Sequence, residues 1–287
     1  MKKVKVKRDA SAPKRKKTVK SALSVAHPEP ENWRRVYALI QQHREEEVAP
    51  VDTMGCDSAG RFESDARSQR LSILFSLILS AQTKDEYTDA AMKNLRAAVG
   101  GCITVDALLN TSSKDIQSAV RPAGMAEKKT KYLLETAKLL KEHFDSDVPR
   151  TVEGLMSLSG VGPKITFLAL QVAWNQNDGI GVDVHVHRLS NVLGWNSPEA
   201  ADEERTRINL ESWLPKEYWK EVNHLLVGFG QTICSKKTPK CGQCRVNAAG
   251  LCPSAREESQ SRLSKEEVAA LEIKLEDSEA LYKIEPV

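Results

Sequence analysis

What this sequence lacks first is a long hydrophobic run. The longest, Leu71 to Ala81, has eleven residues and is broken by Ser72, Ser76 and Ser80. A membrane-spanning helix needs roughly 20, so a soluble protein with no membrane contact is expected. The lysine-rich start carries no hydrophobic signal core, which points to an intracellular, reducing setting in which the six cysteines are thiols or metal ligands. Aromatic residues make up only 5% of the 287 positions. That length suits one or two compact domains and excludes a large multidomain machine. Strand-like alternation is scarce and internal repeats are absent, so sheet-based and solenoid folds are set aside.

A strong excess of one charge is also missing, since 42 Lys and Arg face 39 Asp and Glu. The near balance hides a segregation. Residues 1–20 carry ten basic groups against the single acid Asp9, a net of +9, while residues 254–287 net −4 and leave the body at −2. Nucleic-acid contact in the body must then come from a local patch or from backbone groups, and the arm adds a salt-sensitive, sequence-independent attraction. Residues 1–29 read as a disordered basic arm, and residues 254–287 as an acidic tail able to form a detached helix. The clusters Lys2 to Arg8 and Lys14 to Lys17 look like a nuclear import signal, with mitochondrial delivery the second expectation.

Between the tails, apolar residues recur at three and four. Trp33, Val36, Leu39 and Ile40 form one helical face, and Leu71 to Leu79 is apolar nearly all round, as in a central buried helix. Thr83 with Glu86 resembles a capping box opening a helix through Ala98. Lys128–Phe144, Ile165–Trp174, Val186–Leu193, Glu203–Trp213 and Tyr218–Phe229 read as further helices, with Asp52 to Asp65 as an internal loop. The fold class is all-α.

Three motifs carry chemistry. Cys234, Cys241, Cys244 and Cys252 are spaced x6, x2 and x7. Four thiolates so close in a reducing compartment signal a metal centre, and either zinc or [4Fe–4S] suits them. Cys56 and Cys102 lie apart and read as free thiols. In Leu158-Ser159-Gly160-Val161-Gly162-Pro163-Lys164, Gly160 can take a left-handed cap and Pro163 is preset for the first turn of a helix. Gly162 permits close backbone approach. The segment reads as a helix-hairpin-helix whose main-chain N–H groups suit a phosphate oxygen, with the Lys164 amine at the mouth of a groove. In Val182-Asp183-Val184-His185-Val186-His187, Asp183 opens a helix as an N-cap. His185 and His187 suit DNA contact or a structural role.

Together with Leu79-Ser80-Ala81-Gln82-Thr83 and Leu226-Val227-Gly228-Phe229-Gly230, these motifs make the chain resemble the eukaryotic branch of the endonuclease III family over roughly residues 30–253. The resemblance implies a helix-hairpin-helix DNA glycosylase fold: a six-helix barrel over residues 66–176 and an iron–sulfur cluster domain from residues 30–65 and 177–253. It implies a [4Fe–4S] cofactor on the four cysteines, structural and DNA-orienting. The last spacing is seven residues where the family usually has five, which reads as a loop insertion around Ala248 to Gly250.

By position, Lys164 matches the family's nucleophile and Asp183 its essential carboxylate. Gln82 matches the residue that fills the gap left by an extruded nucleotide, and Met125 falls at an apolar wedge. Gly160, Val161, Gly162 and His185 then belong to the DNA contact. The implied activity is that of a monomeric, bifunctional DNA glycosylase and AP lyase acting on double-stranded DNA with oxidised pyrimidines such as thymine glycol, or with abasic sites. Two alternatives are an adenine-type monofunctional glycosylase and a non-catalytic, metal-stabilised DNA-binding protein. The adenine-type enzyme places a catalytic acid on the helix before the glutamine, and no Asp or Glu lies between Arg70 and Lys84.

Overall fold

The computed structural model describes residues 26–256 except Ser197, together with Val19 and Leu23. The basic arm and the acidic tail therefore lie almost wholly outside the described residues. Among the described residues the chain is helical and contains no strand, and no helix is long and apolar enough to cross a membrane.

The chain enters through α1 (Trp33–Glu46), whose Trp33, Val36, Leu39 and Ile40 are buried on one face. A short α2 (Pro50–Met54) and a 3-10 segment (Cys56–Phe62) follow where the sequence suggested a loop. Their order comes from partners far along the chain. The Asp52 carboxylate accepts from the Ala49 N–H and pairs with Arg44 and His224. Glu63, with a fully buried carboxylate, holds Arg96, the Ser72 hydroxyl and the Ile103 N–H.

Helix α3 (Ala66–Leu79) starts from Asp65, whose side chain accepts from the Arg67 and Ser68 N–H groups. It is buried on nearly every side from Leu71 onward, as its all-round apolar sequence requires. Helix α4 (Asp85–Ala98) begins one residue later than a Thr83 cap would place it, and Lys84 at its N-cap makes no side-chain bond. The Thr83 hydroxyl instead donates to Ala123 O at 2.6 Å. The short α5 (Val105–Asn110) and α6 (Ser113–Ala119), capped by Thr104 and Ser112, lead to α7 (Ala126–His143). Then α8 (Val152–Ser157) and α9 (Pro163–Trp174) complete the hairpin. Residues of α3 to α9 build a first hydrophobic core around Leu74, Phe75, Leu133, Leu155 and Leu170, and the 56–62 segment lies against α3 on that side.

Helices α10 (Val184–Val192), α11 (Glu203–Trp213), α12 (Val222–Thr232) and α13 (Arg245–Ala248) follow. The expected Tyr218–Phe229 helix is split, with a 3-10 turn (Lys216–Tyr218) before α12. These elements fold back on α1 to make a second core that includes Trp33, Tyr37, Leu189, Trp195, Leu226 and Phe229. The rings of Trp33, Tyr37, Trp213 and Tyr218 meet edge to face, a geometry that adds about 0.5–1.5 kcal/mol per pair beyond area burial. An N-terminal helix is thus stapled to the C-terminal half of the chain, with the first core inserted between them and a cleft where the two cores face each other.

Candidate active site

The cleft has a volume of about 960 Å³ and is lined from both sides. The first core contributes Gln82, Asp85 and Lys164, and the second Asp183, His185 and Gln231. Asp183 is the N-cap of α10, its Oδ1 accepting from His185 N and Val186 N at 2.8 and 2.9 Å. That leaves Oδ2 to face the cleft, 3.8 Å from Lys164 Nζ. The capping and cleft-facing functions of the carboxylate therefore belong to different oxygens.

Lys164 owes its place to the hairpin. Gly160 has φ +79°, and a Cβ there would lie 2.6 Å from the Tyr132 ring, so both conformation and space demand glycine. Its role differs from the expected helix cap: α8 already ends at Ser157 with Leu158 extended, and Gly160 turns the loop beyond it. Pro163 occupies the first turn of α9. At Gly162 the backbone is extended and a Cβ would meet nothing within 4 Å. Nothing among the described residues requires glycine there, and its small size leaves the N-terminal amides of α9 open to an outside group. The Val161 side chain is fully buried, so only its main chain can take part in any contact.

Gln82 and Met125 sit on exposed loops, and both adopt left-handed backbone, φ +55° and +46°. Gln82 lines the cleft, whereas Met125, nearly half exposed, stands on the neighbouring loop outside it. His185 lines the cleft with a buried Nδ1 that has no hydrogen-bond partner among the described residues. His187 is turned away and bonds Thr206 Oγ1 at 2.9 Å, a structural role.

Sequence reasoning missed two residues. Asp85, at the start of α4, is a second carboxylate of the cleft. Burial pushes its carboxyl above the usual range, while Gln231 Nε2 bonds it at 2.7 Å. Gln231 also accepts from Val51 N at 3.1 Å, tying the two walls together. Lys129 is buried between the Gln82 and Met125 loops, and burial lowers its ammonium to about 8. Its signal was legible, because it shares the apolar stripe of α7 with Leu133, Ala137 and Leu140.

Cys234, Cys241, Cys244 and Cys252 gather around a separate cavity of about 200 Å³. Among the described residues, no three His, Cys, Asp or Glu side chains converge on a single-ion geometry. Burial raises the Cys234 and Cys252 thiols, and pushes Cys244 to about 11. Arg188 bonds the Cys234 carbonyl and approaches its Sγ at 3.9 Å. Four cysteine sulfurs around one cavity, Cys244 buried and the others half-buried, would as thiolates need positive charge among them, so this donor set fits a metal group. The longer final spacing is absorbed without a gap: Gly250, φ +68°, ends α13 in a Schellman cap, with Leu251 N bonded to Val246 O and Gly250 N to Asn247 O. Cys56 and Cys102 are free thiols, and burial pushes Cys56 to about 12.

A family model described as "HhH-GPD superfamily base excision DNA repair protein" matches residues 75–216. The endonuclease III homolog of Schizosaccharomyces pombe is 44% identical over 243 residues, covering 84% of this chain and 68% of that protein. Endonuclease III-like protein 1 of Gallus gallus is 42% identical over 228 residues, 79% of each chain. Among solved structures, a trapped endonuclease III–DNA covalent intermediate matches with TM-score 0.62 and 23% identity, over 77% of this chain and 95% of that one. A thermostable thymine-DNA glycosylase matches with TM-score 0.59 and 19% identity, over 78% and 97%. At these identities the structural matches speak for the fold.

Proposed function

This chain belongs to the endonuclease III family of base excision repair DNA glycosylases, and on that premise we propose that it is bifunctional, excising oxidised pyrimidines and cleaving abasic sites through a Schiff base on Lys164. The observation that carries the reading is the Lys164 amine 3.8 Å from the cleft-facing oxygen of Asp183. A base in a duplex must be turned out before any side chain reaches its sugar. Gln82 then fills the gap and Met125 wedges the stack, while main-chain groups of Gly160, Val161 and Gly162 hold a phosphate at the start of α9. His185, in the same cleft, lies within the DNA contact.

Lys164 Nζ attacks the sugar C1′ as the bond to the base breaks and the base leaves with its electron pair. Asp183 balances the positive charge that develops on the sugar and takes part in removing the proton of the attacking amine. The sugar ring opens to the imine, a proton leaves C2′, and the C3′–O bond breaks. Water then releases the enzyme. The cleft between the cores, on a fold shared with a DNA-bound endonuclease III, supports damaged duplex as the partner.

The four cysteines would hold a [4Fe–4S] cluster, which supplies folding energy and orients DNA-contacting loops rather than reacting. That all four cysteines line one cavity supports a single shared metal group.

Asp85 gives a second reading some footing, since a buried carboxylate can activate water and make the enzyme monofunctional. It stands on α4, however, and α3 carries no acid anywhere along its length, Asp65 being its N-cap. Borohydride added to protein and abasic duplex decides between them. A covalent protein–DNA adduct, lost in Lys164→Gln, is expected. An undiminished adduct in that variant, or none in the wild type, overturns the proposal.

A further inference from the structure

Lys129 is among the most deeply buried side chains of the protein, 2% exposed, yet it is a cation. Among the described residues no carboxylate pairs with it. All three of its donors are spent on oxygens: Leu79 O at 2.7 Å, Ala123 O at 2.7 Å and Thr83 Oγ1 at 2.6 Å. The Thr83 hydroxyl in turn donates to Ala123 O at 2.6 Å, closing a ring of bonds. Leu79 ends α3, where terminal carbonyls lack intrahelical donors and carry the negative end of the helix dipole. Three elements are joined at this point: the end of α3, the Ser80–Lys84 loop with Gln82, and the Arg121–Met125 turn before α7.

Both joined loops carry backbone that L-residues rarely adopt. Gln82 and Met125 have positive φ without being glycine, and Gly124 between Ala123 and Met125 has φ +69°. Such conformations persist only where the surroundings over-determine them. Near Gln82 and Met125 the side chains point outward, so the restraint must come from beneath. Lys129 provides it by holding Thr83, one residue from Gln82, and the carbonyl of Ala123, two residues from Met125.

We infer that Lys129 is a positioning residue, which locks the Gln82 and Met125 loops in register with each other so that both probe the DNA stack as one rigid unit. The inference rests on the reading of those loops as DNA wedges. Lys129 itself touches no DNA. A preset pair of loops loses little order when it enters the duplex, whereas independently mobile loops would have to be fixed at each binding event. Steps that require a nucleotide to be expelled depend on this unit. A preformed abasic site, already unstacked and cheap to extrude, depends on it much less.

The test compares Lys129→Met, Thr83→Val and Thr83→Ser in the full cluster-loaded protein. Two readouts are taken at saturating enzyme: single-turnover release of thymine glycol, and the rise in fluorescence of a 2-aminopurine opposite a tetrahydrofuran abasic analogue. Lys129→Met is expected to slow base release by about 10–100-fold, as misplacement by an ångström does, and to halve the fluorescence rise or more. Borohydride trapping on a preformed abasic site should change less than about threefold, because the reacting groups are untouched. Thr83→Val should shift both readouts in the same direction by a smaller factor, and Thr83→Ser, which keeps the hydroxyl, should restore them. A merely structural role would lower the melting temperature and leave the fluorescence rise of the folded fraction intact. That result, or base release within about twofold of wild type, overturns the inference. If Lys129→Met does not fold, the Thr83 pair decides by the same criteria. Gln82→Ala and Met125→Ala serve as separate controls. If both leave the fluorescence rise and base release unchanged, the wedge reading itself fails, and the role given to Lys129 falls with it.

Discussion

Lys164 Nζ stands 3.8 Å from Asp183 Oδ2, and the other oxygen of the same carboxylate is held by the His185 and Val186 amides. One side chain therefore starts a helix with one atom and faces an amine with the other. The two tasks are separable by substitution. Asn caps a helix about as well as Asp, while Ala forfeits about 0.5–2 kcal/mol. Asp183→Asn is expected to melt near the wild-type temperature, bind damaged duplex at least as tightly through loss of a negative charge, and turn over about 10²–10⁴ slower. Asp183→Ala should add the stability loss. Calorimetry beside single-turnover assays separates these effects, and a fully active Asp183→Asn would remove the carboxylate from the chemistry.

Local chemistry is what the sequence makes legible. The positive φ of Gly160, Pro163 in the first turn of α9, Asp183 as an N-cap and the span of α11 all depend on a few neighbouring residues. The all-helical fold follows from periodicity in the same way. What stayed hidden depends on partners distant in the chain. The 52–65 segment looks like a loop until Glu63 finds Arg96 and Ile103. Thr83 looks like a capping residue until the Ala123 carbonyl accepts its hydroxyl, and although the apolar stripe of α7 marks Lys129 as buried, the Leu79 and Ala123 carbonyls that receive it are brought there only by the fold. Asp85 escaped notice because only the fold brings Gln231, 146 positions away, to its carboxylate.

The basic arm makes a prediction of its own. Lysines and arginines that contact phosphates release counterions regardless of lesion. Deleting residues 1–20 is expected to weaken binding to damaged and undamaged duplex alike and to flatten the dependence of affinity on salt, with base release at saturating enzyme retained. Titrations at several salt concentrations measure the slope. Abolished single-turnover cleavage would place the arm in the active site.

Glu63 is a buried charge beside the first core. Burial by itself would raise its carboxyl, but hydrogen bonds from Ser72, the Ile103 amide, Cys102 and Arg96 outweigh it and hold the group below the usual carboxylate range. Between that lowered value and the unfolded value of about 4.3, the unfolded chain binds more protons than the folded one. The stabilisation is thus complete above about pH 4.3 and is lost as pH falls through the folded value. Glu63→Gln leaves the Arg96 guanidinium without its counter-charge and is expected to cost about 3 kcal/mol at neutral pH. Denaturant unfolding at pH 7 and pH 4 should show the difference between variant and wild type shrinking in acid. A constant difference would mean that the carboxylate charge contributes nothing.

The cysteine cavity makes the last prediction. Thiols that burial holds high, Cys244 at about 11, stay protonated at neutral pH unless a cation draws the protons off. Cys234 and Cys252 are raised in the same direction, and a chain that gathers these thiols with Cys241 around one space gains stability when a metal group fills it. Purified protein is therefore expected to be brown and to contain about four irons per chain, as one [4Fe–4S] cluster on four thiolates requires. Cys244→Ser should lose both iron and soluble yield, because removing a ligand from a structural site takes away folding free energy directly. Cys56→Ser, outside the cavity, should keep the colour. Iron analysis and visible absorption on the two variants check the assignment. Stoichiometric zinc without absorbance would replace the cluster by a single ion, and would require the four sulfurs to close in from the positions they hold around the cavity.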